Sequence, residues 1–148
     1  MSVVLDANLV VALLLPLPYS GQVWARYSSW RQDEVELLAP TLLQYEANAA
    51  LRRSLTAGWM QRHEAETVLA EMSSLRIHYL APSPELHIRT WYWADRLNHS
   101  KTYDAQYVAL AELERADFWT ADRRLANGAH QAGAGWVRWI GESGPDSL

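Results

Sequence analysis

The chain has 148 residues, of which 49% are hydrophobic and 20% charged, with a formal net charge of −4; this fits one globular domain that buries roughly two-thirds of its unfolded surface. There is no cysteine, which excludes a disulfide frame and any thiolate metal site. No apolar run approaches the ~18 residues of a membrane span, and MSVVLDANLVVALLLP lacks a basic n-region and is interrupted by Asp6, so a cytoplasmic protein without a signal peptide is expected.

Val3–Val4–Leu5 is a short β-branched run that reads as a buried strand ending at Asp6. From Ala7, the spacing of Leu9, Val10, Leu13 and Leu14 predicts a helix stopped by Pro16 and Pro18. Asp6 thus stands at the carboxyl end of strand one, the edge where open α/β sheets bind ligands. An Asp at that position also serves as a helix N-cap, and both readings stand. Residues 20–32 read as a second helix, Glu36–Leu37–Leu38–Ala39 as a second strand ended by Pro40, and Thr41 as the N-cap of TLLQYEANAALRRSLTAG, closed by Gly58.

Glu46 is out of place in that helix. Leu42, Leu43, Ala49 and Ala50 are its neighbours one turn either way, which puts a carboxylate on an apolar face. Burial without a partner would cost several kcal/mol or impose a proton. A counter-ion is implied, either a cation bound at a site or an Arg in a buried pair.

HEAETVLAEMSSL reads as a further amphipathic helix, and Ile77–Leu80 as a short strand or extended connection. Ser83 caps PELHIRTWYWADRLNH, with Pro84 at the first helical position. A helix from Tyr103 to about Arg115 carries Asp104 on its apolar face with Tyr107, Val108 and Ala111, leaving Glu112, Glu114 and Arg115 for the wet side. Phe118–Trp119–Thr120 is the next strand, Asp122 caps DRRLANGAH, and Trp136–Ile140 is a last strand. The pattern predicts one domain over residues 1–141, a parallel sheet between helices, and a mobile tail at 142–148.

Asp6, Glu46, Asp104 and Asp122 are thereby four acids delivered from separate points of an α/β domain. An all-carboxylate set suits the hard cations Mg²⁺ or Mn²⁺ better than zinc. Such ions neutralise charge on a phosphodiester and make a nucleophile of water. The net charge shows no basic footprint for nucleic acid. Setting those four acids aside, however, leaves 13 acids against 13 bases, of which twelve are Arg and one is Lys, so charge does not decide the question.

VVLDANLVVALLLP, LLQYEANAALRR, SKTYDAQYVALAE and FWTADRRLAN resemble, in order and spacing, the four acidic motifs of the PIN domain, in particular those of VapC-type toxins. The resemblance runs from residue 3 to about 140. It implies a PIN-like three-layer α/β/α sandwich with a central parallel sheet. It also implies a Mg²⁺- or Mn²⁺-dependent endoribonuclease in which water attacks phosphorus in line, leaving a 5′-phosphate and a 3′-hydroxyl. Asp6, Glu46, Asp104 and Asp122 become the metal-binding acids, with Asn8 and Thr120 behind them or positioning substrate. The implied partners are RNA, a cognate antitoxin lying in a groove near the site, and a second copy in a homodimer.

Asp117 is left out, because five residues of strand would hold it about 16 Å from Asp122. The histidines lack ligand spacing, although His99 precedes the Asp104 helix and could touch RNA. Trp91 and Trp93 cannot both face the core, so one belongs at an interface or groove. Arg52, Arg53, Arg123 and Arg124 are the first places to seek phosphate contacts, against the alternative of solvated helix faces. Two other functions compete. A haloacid-dehalogenase-type phosphatase would want a second Asp at position 8, where Asn stands, and a Lys other than Lys101. A catalytically silent PIN-like scaffold would bind RNA or a partner without cutting.

Overall fold

The computed structural model describes residues 1–142. Its strands are β1 (Ser2–Leu5), β2 (Glu36–Pro40), β3 (His78–Leu80), β4 (Asp117–Thr120) and β5 (Val137–Trp139), paired in parallel in the order β3-β2-β1-β4-β5. Helices α1 (Ala7–Leu14), α2 (Ser20–Gln32), α3 (Leu42–Thr56), α4 (Arg62–Glu71), α5 (Pro84–Leu97), α6 (Tyr103–Glu114) and α7 (Arg123–Gln131) connect them. The result is the expected three-layer α/β/α sandwich. The tail expected at 142–148 lies, from residue 143 on, outside the described residues.

Register explains the strand sequences. Val4 is paired with Leu38 on one side and Phe118 on the other, and Val4 and Phe118 are fully buried. A central parallel strand has no wet face, so it reads as an unbroken apolar run. β1 lies in the middle, and Asp6, the first residue past it, continues the ladder by donating its N–H to the Trp119 carbonyl at 3.0 Å. Asp122 follows β4 next door. Both acids therefore stand on the carboxyl edge of the sheet.

The structure departs from the sequence reading at four places. Thr41 does not cap α3 through its side chain. Pro40 is a paired strand residue opposite Leu80, and Thr41 turns directly into helical φ/ψ while donating its N–H to the Leu80 carbonyl. An N-cap hydroxyl needs extended backbone to reach forward. Ala49 is exposed, and α3 buries Leu43, Ala47, Leu51 and Ser54; Glu46 is half-buried at the border of that stripe rather than within it. Glu112 is not on the wet side, because α5 packs against α6. Arg89 there donates from Nε and Nη2 to the Glu112 carboxylate at 2.8 Å each, and Trp93 Nε1 donates at 3.2 Å. The last strand is shorter than expected, Val137–Trp139.

The closure of α3 at Gly58 holds in detail. Trp59 donates to the Ser54 carbonyl and Gly58 to the Leu55 carbonyl, with Gly58 at φ +80°; this is the six-to-one and five-to-two pairing of a Schellman cap. Gly58→Ala should cost about 1 kcal/mol, read as a melting temperature about 2–4 °C lower.

Candidate functional site

Asp6 begins α1 but makes no side-chain cap bond. Its Oδ2 instead accepts a hydrogen bond from Thr120 Oγ1 at 2.7 Å. Thr120 is fully buried, and the rest of its hydroxyl is used: Oγ1 accepts from Asn8 Nδ2 at 3.2 Å and from the Asp122 N–H at 3.0 Å. A hydroxyl offers one donor and two acceptor lone pairs, and here all are occupied. Asn8 is fixed in turn because its Oδ1 accepts from the Ala121 N–H at 3.0 Å. The first acid, Asn8 and the β4–α7 turn are thus tied into one unit. Thr120 has no surface left with which to meet a ligand.

Asp122 caps α7, one oxygen accepting from the Leu125 N–H at 3.0 Å. Asp104 stands in the first turn of α6, where the helix dipole favours an anion, and His99 lies 3.9 Å from its Oδ2. Glu46 is held by Tyr107, whose hydroxyl donates to Oε1 at 2.6 Å. Among the described residues no Arg pairs with Glu46, so the buried-Arg alternative is not what the structure shows.

These acids share an open cleft of about 360 Å³ lined by Asp6, Asn8, Tyr19, Glu46, Arg53, Asp104 and Asp122, with Ala7, Val11 and Ala50 as its apolar floor. Their electrostatics are those of like charges brought together. Asp6 is pushed up to about 7, mainly by burial and further by Asp104 and Glu46, against the opposing Thr120 bond. Glu46 is raised by burial and by Asp104, with the Tyr107 bond pulling it down. Asp104 is raised by burial and by Asp122, with His99 opposing. The donors are oxygens throughout, the chemistry a hard cation prefers. As placed, no three His, Asp or Glu side chains among the described residues surround a single point closely enough to ligate one ion.

The profile of the PIN domain matches residues 3–131. The chain belongs to the PIN-domain family. It is 32% identical to Ribonuclease VapC3 of Pyrobaculum aerophilum over 131 residues, covering 85% of this chain and 93% of that protein. It is 37% identical to Ribonuclease VapC1 of Mycobacterium tuberculosis over 89 residues, which are 60% of this chain and 64% of that relative's length. In fold it resembles the crystal structure of VapBC2 from Rickettsia felis bound to a promoter DNA fragment, with a TM-score of 0.71 at 12% identity over 93% of this chain and 98% of that one.

Within this PIN domain the carboxyl edge brings together the six residues singled out from sequence, with Thr120 beneath rather than in the cleft. Asp117 sits at the far end of β4, 3.4 Å from Arg138 Nε. Trp93 is buried and Trp91 is 71% exposed, as the two-residue spacing demands. Of the four arginines, only Arg53 lines the cleft. Arg52 lines a groove between α3 and α4, and Arg123 lies over the Trp139 ring at 4.9 Å. The sequence reading missed Tyr107, which it took only as a core residue. Its ring does stack on Phe118 at 5.3 Å, and a tyrosine at a site where Phe would pack equally well was the available signal.

Proposed function

We propose that this PIN domain is a Mg²⁺- or Mn²⁺-dependent endoribonuclease, the toxin of a toxin–antitoxin pair. The observation that carries the reading is the delivery of Asp6, Glu46, Asp104 and Asp122 from β1, α3, α6 and the β4–α7 turn into one cleft. The names of the VapC relatives support the reaction class. A divalent cation bound there would neutralise charge on the scissile phosphate and lower the pKa of water. Asp6, Glu46, Asp104 and Asp122 would hold it. Tyr107 and Thr120 hold two of these carboxylates in orientation, and His99 Nδ1 stands 3.9 Å from Asp104. By the same reading the partners are RNA, a cognate antitoxin and a second copy of the chain, and the protein works in the cytoplasm. Among the described residues no helix is long and apolar enough to cross a membrane.

One observation favours a silent scaffold: the acids do not close around one point. Against it, burial and mutual repulsion raise Asp6, Glu46 and Asp104, and a bound cation would relieve such a cluster. We therefore favour the enzyme.

The test is incubation of total RNA with purified protein in Mn²⁺ or in EDTA, beside Asp104→Asn. Discrete fragments that need metal and are lost in the variant are expected; metal-independent or variant-independent cleavage would overturn the assignment. Tyr107→Phe deletes only the hydroxyl that orients Glu46. It should weaken Mn²⁺ binding about tenfold, as loss of a group supporting a ligand commonly does. The melting temperature in EDTA should stay within a few degrees, and titration calorimetry with a thermal melt reads both.

A further inference from the structure

On the amino edge of the sheet, opposite the acid cleft, an open cavity of about 370 Å³ is walled by the end of α2 and the starts of β2 and β3. Its polar lining is Arg31, Glu34, Glu36, Arg76 and His78. The volume suits a small ligand, whose sites run from about 300 to 1,000 Å³.

Arg31 stands in the last turn of α2, where a cation ordinarily serves the free carbonyls of the helix end. Those carbonyls are already taken. Ser29 accepts from the Asp33 N–H at 3.0 Å, Trp30 from the Val35 N–H at 2.9 Å, and Arg31 from the Glu34 N–H at 3.3 Å. Arg31 is half-buried, yet its guanidinium has no hydrogen bond, ion pair or ring contact among the described residues.

Arg76 is the stronger anomaly. Its φ is +56°, and Glu34 of the same cavity has φ +56° as well. Arg76 ends the 3₁₀ turn Met72–Leu75, and Glu34 turns the chain out of α2. Glycine adopts this conformation without strain, as Gly58 does after α3. Two charged side chains kept at such positions around one cavity point to a use for those side chains. The walls that carry them are tied together, because the Tyr27 hydroxyl of α2 donates to the Leu75 carbonyl at 3.2 Å.

Arg76, like Arg31, has no ion pair among the described residues. Glu36 is already engaged, with His78 Nδ1 3.2 Å from its Oε1. Two guanidinium groups and one carboxylate, Glu34, remain uncommitted. Guanidinium forks match the oxygens of a phosphate. A carboxylate accepts from hydroxyls but repels a phosphate. The combination fits an ester with sugar hydroxyls better than phosphate alone.

We propose that this cavity binds a small phosphate ester carrying sugar hydroxyls, with Arg31 and Arg76 on the phosphate and Glu34 on a hydroxyl. The site is separate from the acid cleft and independent of the chemistry proposed there.

The test is titration calorimetry in EDTA with inorganic phosphate, ribose 5-phosphate and adenosine 5′-monophosphate. Saturable binding of ribose 5-phosphate, tighter than that of inorganic phosphate, is expected. Adenosine 5′-monophosphate separates the two sources of ester: tighter binding supports a nucleotide and weaker binding a sugar phosphate. Arg31→Ala and Arg76→Gly should each weaken the ester about tenfold or more. Arg76→Gly also relieves the left-handed backbone, so its melting temperature should rise by about 2–4 °C. Arg115→Gly, at the left-handed residue that ends α6, should give the same rise and leave binding unchanged. Glu34→Ala should weaken the ester and strengthen inorganic phosphate. Arg53→Ala, in the acid cleft, should alter neither. No saturable binding of either ester would overturn the site. So would undiminished binding in both Arg31→Ala and Arg76→Gly, inorganic phosphate binding as tightly as the esters, or binding lost in Arg53→Ala.

Discussion

Asp6→Asn should abolish cleavage and at the same time make the metal-free protein more stable. On the proposed reading, losing one of the carboxylates that would hold the cation removes several kcal/mol of transition-state stabilisation, about a thousandfold or more in rate. The stability gain follows from the Asp6 carboxyl being pushed up to about 7 in the folded protein from an ordinary value of 3.8. A carboxyl raised on folding contributes fully below its unfolded value, and the contribution is lost as pH rises through the folded value. Metal-free wild type should therefore lose stability between about pH 4 and pH 7, by at most about 4 kcal/mol from this group. Asparagine keeps the oxygen that accepts from Thr120 and carries no charge, so the variant should show a flatter pH profile. At pH 8 in EDTA its melting temperature should be higher by roughly 5 °C. Thermal melts across that pH range check the claim. A variant that is both inactive and less stable at every pH would mean that Asp6 is a structural residue.

Thr120→Val should damage both stability and activity without touching the cleft surface. Valine fills the same volume but strands three partners, since Asp6 Oδ2 loses a donor while Asn8 Nδ2 and the Asp122 N–H lose an acceptor. Unsatisfied buried groups cost about 1–3 kcal/mol each, and partial rehydration brings the sum to roughly 2–4 kcal/mol, or about 5–12 °C in melting temperature. Because the Thr120 bond pulls the Asp6 carboxyl down, its loss should push that carboxyl further up and move the acid limb of the activity profile to higher pH. Thr120→Ser retains the hydroxyl and should recover most of the activity and the wild-type limb. If Thr120→Val leaves the profile in place, the bond positions nothing.

What could be read from the sequence follows from how local each signal is. The strands were legible because a central parallel strand must be apolar on both faces, as Val3–Leu5 is. The helix ends were legible where one residue marks the boundary, Gly58 closing α3 and Ser83 starting α5; the Ser83 oxygen accepts from the Leu86 N–H at 3.1 Å. The cap at Thr41 failed because its backbone conformation is set by pairing with Leu80, a partner that tertiary structure supplies. The Asp6 alternatives were undecidable locally. A helix cap and a cleft acid look the same in sequence, and the deciding bond comes from Thr120, 114 residues away. Tyr107 was hidden for a related reason. Its ring belongs to the core and only its last atom reaches Glu46, so periodicity sees a core residue and nothing more. The wet placement of Glu112 failed because periodicity on α6 cannot show that α5 brings Arg89 and Trp93 to the same spot.

The central question is whether the four acids act together on one cation. The most direct measurement is calorimetric titration of Mn²⁺ into metal-free wild-type protein and into Asp6→Asn, Glu46→Gln, Asp104→Asn and Asp122→Asn, each first confirmed folded by its melt. Saturable binding is expected in wild type, with an affinity lowered by more than about tenfold in every variant, since each removes an oxygen from the same site. Wild-type affinity retained across all four variants, or no saturable binding in wild type itself, would contradict this and leave a PIN fold whose acidic cleft is not a metal centre.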